Sequence, residues 1–232
     1  MLALLAAAAR HDRLDADGSR ALLKAMRIVE TRWQEPDAGI WELENEWWTH
    51  SRLSCVAGLR ATSVVLPGAE GSRAASLADA VLAETDRRCL GPDGRWRRSP
   101  QHEGVDASLL LPPVRGALPA ADPRTRATLE AVERDLVRDG FVYRFRPDAR
   151  PLGQAEGAFL LCGFTMALAQ WHQHREAEAL RWFERTAATA GTSGLLSEEY
   201  DVDERQLRGN VPQAFVHAML LETAQCLQGD AT

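Results

Sequence analysis

An all-α fold, in the form of a closed or partly closed toroid of paired helices, is what this sequence predicts. Three observations carry the expectation. Apolar residues recur with the helical period over about eight stretches. Strand-like alternation is confined to FVYRF at residues 141–145, and short connections alternate with long ones along the chain. Short turns join antiparallel neighbours, and long turns that all open at one end gather around one cavity. No repeat of solenoid length is present, which favours a ring over an open superhelix.

Taken in order, the helical stretches are residues 19–33, 50–65, 72–88, 105–117, 123–137, 156–171, 175–189 and 211–227. Asp17-Gly18-Ser19 leads into the first, Thr49 opens the second and Asp122-Pro123 opens the fifth, all residue types that start helices. Pro112-Pro113 interrupts the fourth. The most apolar segment, AFLLCGFTMALA at residues 158–169, is shorter than the roughly 20 residues a membrane span needs and reads as a buried helix. The opening MLALLAAAAR has no basic residue ahead of its apolar run and no cleavage pattern, so it is not read as a signal peptide. A cytoplasmic location is the resulting expectation. FVYRF suits a short hairpin arm or an extended loop. The long connections, residues 35–48, 90–104, 140–155 and 189–210, are rich in Trp, Arg, Glu and Gly.

Composition narrows the function. The chain has 232 residues with 27 basic and 33 acidic side chains, a formal charge of −6, and every basic residue except Lys24 is Arg. Net acidity and scattered Arg residues count against nucleic acid, which needs a concentrated basic surface. Cys55, Cys89, Cys162 and Cys226 are far apart with no CxxC, and His172 and His174 diverge on a helix, so neither a metal nor another cofactor is expected. Seven Trp stand against two Tyr. Trp33, Trp41, Trp47 and Trp48 fall close together, either as core or as flat walls for a sugar.

Two loop segments bring carboxylates beside aromatic and apolar neighbours. One is PDAGIWE at residues 36–42, the other GLLSEEYD at residues 194–201. Desolvation in such settings raises a carboxyl pKa, and a pair of carboxyls is the minimal machinery of glycoside hydrolysis. A solvated loop acid or a helix cap is the competing reading of each.

The ordered strings GIWE (39–42), WWTHSRL (47–53), EGVDASLLL (103–111), DGFVYRF (139–145), EGAFLLCGF (156–164), GLLSEEYD (194–201) and GNVPQAFVH (209–217) resemble glycoside hydrolase family 15. That family holds glucoamylases, glucodextranases, bacterial trehalases and isomaltose glucohydrolases. The resemblance runs from about Arg32 to Thr223 and implies an (α/α)6 toroid. It implies Glu42 as general acid and Glu198 as general base of an inverting single displacement, with the two carboxyls about 6.5–9.5 Å apart to admit a water. Trp41 is then expected to line the first glucose subsite and Arg144 to bind its hydroxyls. Glu199 would hydrogen-bond sugar or orient Glu198, and Tyr200 would close that wall. Trp48, with Trp47, would shape the acceptor subsite or else pack onto the core. Trp96, inside RWRR, would be a platform at the cavity mouth or part of an exposed Arg-rich loop. Asp106 belongs to a recurring string and also suits a helix cap, while His50 and His217 read as structural.

The sequence departs from the family in lacking a Trp-x-Arg-Asp string and an N-terminal β-sandwich. Eight helices of twelve leave about four unaccounted for, on the order of 100–140 residues. Residues 1–232 are therefore read as a single, partial catalytic domain. An isomaltose-like gluco-oligosaccharide is the first substrate expected, with trehalose as the alternative. The rival is a nonenzymatic helical remnant that binds sugar weakly or needs a partner chain, marked by an exposed apolar face on the helix at 19–33.

Overall fold

The computed structural model of the chain describes residues 1–146 and 157–229, and helices dominate it. The first four are α1 (Leu2–Arg10), α2 (Ala16–Arg32), α3 (Thr49–Val65) and α4 (Gly68–Cys89); α5 (Leu111–Val114) and α6 (Pro123–Leu136) follow. The last three are α7 (Leu160–His172), α8 (Glu176–Ala187) and α9 (Ala214–Leu227). Caps and stripes explain their limits. The Asp15 carboxylate accepts the Gly18 amide at 2.7 Å to start α2, and Asp122 accepts the Arg124 amide at 2.9 Å to start α6 behind Pro123. α4 buries Ala74, Ala78, Val81 and Thr85 at helical spacing against α3, its main neighbour.

α7 is apolar almost all round and sits between two parts of the core. Met166 and Cys162 face Val132, Leu136 and Val142, whereas Leu160, Phe164 and Leu168 face Leu196, Val216 and Met219. A third cluster, of Leu22, Met26, Leu53, Val56, Leu59 and Trp96, joins α2, α3 and α4. Among the described residues, no helix is long and apolar enough to cross a membrane.

The structure corrects several sequence expectations. α1 was not expected, because MLALLAAAAR is apolar on every side and shows no stripe; Leu2 and Ala6 nevertheless pack on α3. The stretch at 105–117 is a 3-10 turn, Ala107–Leu110, followed by the four-residue α5, since two prolines remove the amides a longer helix would need. The stretch at 156–171 begins as a helix only at Leu160, after a strand; Glu156 lies outside the described residues. FVYRF does enter a hairpin. β1 (Val137–Arg138) pairs with β2 (Phe141–Val142) across Asp139-Gly140, whose φ values of 50° and 78° suit a tight hairpin turn. A second small antiparallel sheet was not expected: β3 (Ala158–Phe159), β4 (Glu199–Asp201) and β5 (Gln206–Arg208), in that order.

α1, α2 and α3 leave an open apolar groove of about 1110 Å³ between them, closed at one edge by Arg115 and Glu222. Leu4 and Ile28 line it and stand 75% and 49% exposed. This is the exposed face on the helix at 19–33 that the remnant reading required.

Candidate active site

The first candidate acid stands on a loop closed at its base. Asp37 and Glu46 exchange backbone hydrogen bonds at 2.9 and 3.0 Å, so residues 38–45 project as one loop from the start of α3. Gly39 takes φ +69°, and its backbone lies against the Trp48 ring so closely that a Cβ would come within 2.7 Å of it. Trp48 Nε1 donates to the Glu44 carbonyl at 3.0 Å on the other side of the loop. Glu42 is exposed at the apex with φ +50°, a left-handed conformation that costs a non-glycine residue about 1–2 kcal/mol. Among the described residues, no hydrogen bond or ion pair holds its carboxylate.

The second candidate is held from several sides. The Glu198 amide donates to the Asn210 carbonyl at 2.9 Å, and its own carbonyl accepts the Leu160 amide at 3.0 Å. Asn210 Nδ2 donates to Glu198 Oε2 at 2.8 Å. Gly209 has φ +71° and passes so near that a Cβ there would lie 2.9 Å from the same oxygen. His217 serves this segment structurally, its Nε2 accepting the Leu196 amide at 3.1 Å.

The residues beside the two acids meet. Trp41, next to Glu42, packs edge-on against Phe159 with centroids 5.5 Å apart, and β3 pairs Phe159 with Glu199, next to Glu198. Arg144 bridges them. Its guanidinium lies 3.3 Å from Glu199 Oε1, 5.7 Å from the Trp41 ring centroid and 5.2 Å from that of Phe159. Glu199 Oε2 also accepts the Gly157 amide at 3.0 Å. Asp106 completes the wall, its carboxylate oxygens accepting Trp41 Nε1 at 2.8 and 2.9 Å and the Ser108 amide at 2.8 Å, with Arg98 Nε 3.2 Å away. Asp106 is therefore both the cap of the 3-10 turn and the partner of Trp41. Burial, opposed by Asp106 and Asp37, pushes the nearby His50 pKa down; burial also holds the Cys162 thiol, behind Arg144 and Glu199, well above its usual pKa.

Three sequence-named residues lie elsewhere. Trp96 is 0% exposed within the core beneath the Arg124 guanidinium, 5.6 Å from its ring, so the platform reading is corrected. Trp48 is buried at 7%, stacked on His102 and under Arg98; it backs the acid loop as core, the second of its two readings. Tyr200 packs its ring 4.8 Å from Phe141, beside Arg185 and Arg205, away from the Arg144 cluster. Successive strand residues face opposite sides, and Glu199 takes the inner one.

The family model "Glycosyl hydrolases family 15" matches residues 1–225. The chain belongs to that family. It is 34% identical to a trehalase of Mycolicibacterium smegmatis over 197 residues, which is 82% of this chain and 30% of that protein. It is 30% identical to trehalase 1 of Sulfolobus acidocaldarius over 206 residues, 88% of this chain and 36% of that one. The family 15 chain thus spans about a third of the length of these curated relatives. Among solved structures, a glycosidase variant in complex with glucose superposes with TM-score 0.85 at 22% identity, covering 98% of this chain and 65% of the other. A bacterial glucoamylase complexed with acarbose gives TM-score 0.76 at 16% identity, covering 97% and 40%. These two likenesses establish the fold, an incomplete all-α toroid.

Sequence reasoning missed three residues of this candidate site. Asn210, the partner of Glu198, stands in the GNVP string, which carried the resemblance without naming a role. Phe159 reads as one more apolar helix residue, yet it is strand and touches both Trp41 and Arg144. Gly209 gives a local signal, as the glycine between the acidic stretch at 201–204 and α9.

Proposed function

We propose that this chain carries the two-carboxyl machinery of an inverting α-glucoside hydrolase. Glu42 serves as general acid on the glycosidic oxygen, and Glu198, oriented by Asn210, serves as general base on the attacking water. The observation that carries this reading is the link from Trp41 through Arg144 to Glu199, which brings the neighbours of both acids into one wall. Trp41 offers a flat face for a glucose ring, while Arg144 and Glu199 offer a donor and an acceptor for its hydroxyls. Trehalose moves ahead of isomaltose as substrate because the curated relatives are named trehalases; isomaltose remains the runner-up.

The test is the anomer first released, followed by proton NMR. An inverting enzyme frees β-glucose from the non-reducing unit of isomaltose, and equal amounts of α- and β-glucose from trehalose. Initial α-glucose alone would overturn the assignment.

A second reading is favoured by the apolar groove between α1, α2 and α3. The site then works only when further helices, on an extension or a partner chain, cover that groove. Turnover by the isolated 232-residue chain argues against it.

A further inference from the structure

We infer that Asp37 and Arg52 form a clamp that positions the Glu42 loop, so that both are positioning residues for the acid step; the catalytic part of this inference rests on the hydrolase reading above. Every donor around the Asp37 carboxylate serves one purpose. Oδ1 accepts the Gly39 amide at 2.8 Å and Ser51 Oγ at 2.7 Å, while Oδ2 accepts Arg52 Nη1 at 2.6 Å. The first contact fixes the outgoing strand of the loop, and the other two fix it to the first turn of α3. Arg52 extends the grip, because its Nη2 donates to the Glu35 carbonyl just before the loop and its guanidinium lies 4.7 Å from the Trp47 ring just after it. The Arg52 side chain is only 4% exposed, where a charge-assisted bond is strong and a lost partner is costly.

The clamp matters because of what the loop lacks. Glu42 sits at the exposed apex in a left-handed conformation, five residues beyond Asp37 and four before Glu46. Its place is therefore set by the base of the loop, by Trp41 on Asp106 and by Trp48 on the Glu44 carbonyl. Asp37 touches none of the residues proposed to meet sugar. Loosening it should move the acid while the Asp106 carboxylate still holds Trp41 in the glucose wall, and misplacement by about 1 Å can cost 100-fold in rate.

The experiment compares the full chain with Asp37→Asn, which keeps shape but not charge, by amide hydrogen exchange and by kcat and KM on an aryl α-glucoside. Expected is faster exchange, by about tenfold or more, at the Gly39 and Glu46 amides, with α7 unchanged, and a kcat about 10- to 100-fold lower with KM within about twofold. Arg52→Lys, which keeps a cation for Asp37 but not the fork to Glu35, should fall between Asp37→Asn and the parent in both readouts. Unchanged loop exchange in Asp37→Asn, or acceleration shared equally by α7, overturns the clamp. A loosened loop with unchanged kcat overturns its positioning role. Should the parent chain show no turnover, that counts against the hydrolase reading, and the exchange comparison still decides the clamp.

Discussion

The two candidate carboxylates are built in opposite ways. Glu198 stands immediately before β4, with both backbone groups paired to Asn210 and Leu160 and its side chain bonded to Asn210. Glu42 stands at the tip of a loop that is secured at its base and flanks while the tip itself reaches solvent. In the chemistry proposed for them, the base must hold a water in line with the breaking bond and the acid must stand within reach of the leaving oxygen. Both therefore have to be positioned, and the two are positioned by different means. Precision on one side thus comes from backbone pairing beside a sheet, and on the other from a loop secured at its base.

The largest expected effect tests the base. Glu198→Gln should lower kcat by about 10²–10⁴-fold and leave glucose affinity, measured by calorimetric titration, near that of the parent. Retained turnover would remove Glu198 from its role and the comparison with it. Next come the glycines that back each acid. Gly39→Ala would drive a Cβ into the Trp48 ring at 2.7 Å, a buried ring with little room to yield, whereas Gly209→Ala meets the smaller Glu198 side chain, Oε2 at 2.9 Å and Cβ at 3.0 Å. Gly39→Ala should therefore be the more destabilising in chemical denaturation, by about 2–4 kcal/mol for combined strain and overpacking. Gly209→Ala should be milder in stability yet worse in kcat, because what yields is the base itself. The reverse ranking would show that the two backings are not specialised as described. A smaller change is Trp41→Phe, which takes the indole donor from buried Asp106. A loss of about 1.5–3 kcal/mol is expected for a bond to a charged group, with weaker sugar binding.

How much of this was legible in the sequence depends on the period each part obeys. α2, α3, α4, α6, α8 and α9 announce themselves by apolar residues at helical spacing, α2 and α6 also by their Asp caps, and α7 by an apolar run too long for a strand. β3, β4 and β5 are two or three residues long, too short for alternation to register, and the partner that joins β3 to the sheet, β4, lies some forty residues along the chain. RWRR looks like an exposed tip because three of its four residues are charged. In the structure Leu90 bridges Trp96, and strand alternation turns Trp96 inward while Arg95 and Arg97 reach Asp93 and Glu103. Glu42, Glu198, Trp41, Arg144 and Glu199 stand out as candidates through the strings they sit in. Asn210 and the second role of Asp106 were not, since a side chain's partner 12 or 65 residues away leaves no local mark.

The smallest effect concerns pH, and it bears on the acid side alone. His50 lines the crevice behind the Glu42 loop with Trp41, Trp48 and Asp106, and burial outweighs the pull of Asp106 and Asp37, lowering its pKa below 6.5. The folded chain thus prefers neutral His50, while the unfolded chain takes up a proton as pH falls past that value. Stability from this residue is complete above about pH 6.5 and declines as pH drops toward the lower folded pKa, with a slope of at most about 1.4 kcal/mol per unit for one proton. Denaturation midpoints of the parent and of His50→Gln, measured at pH 7.5 and 5.5, check the sign. The parent should lose more stability over that interval than the variant. In hydrogen exchange the acid-induced loosening should appear first in residues 38–45, with β4 unchanged, because the proton goes in behind the acid loop and not behind Glu198. Equal loosening of both segments would mean that the loop and the sheet open as one unit, and the difference in their construction would then have no counterpart in their motion.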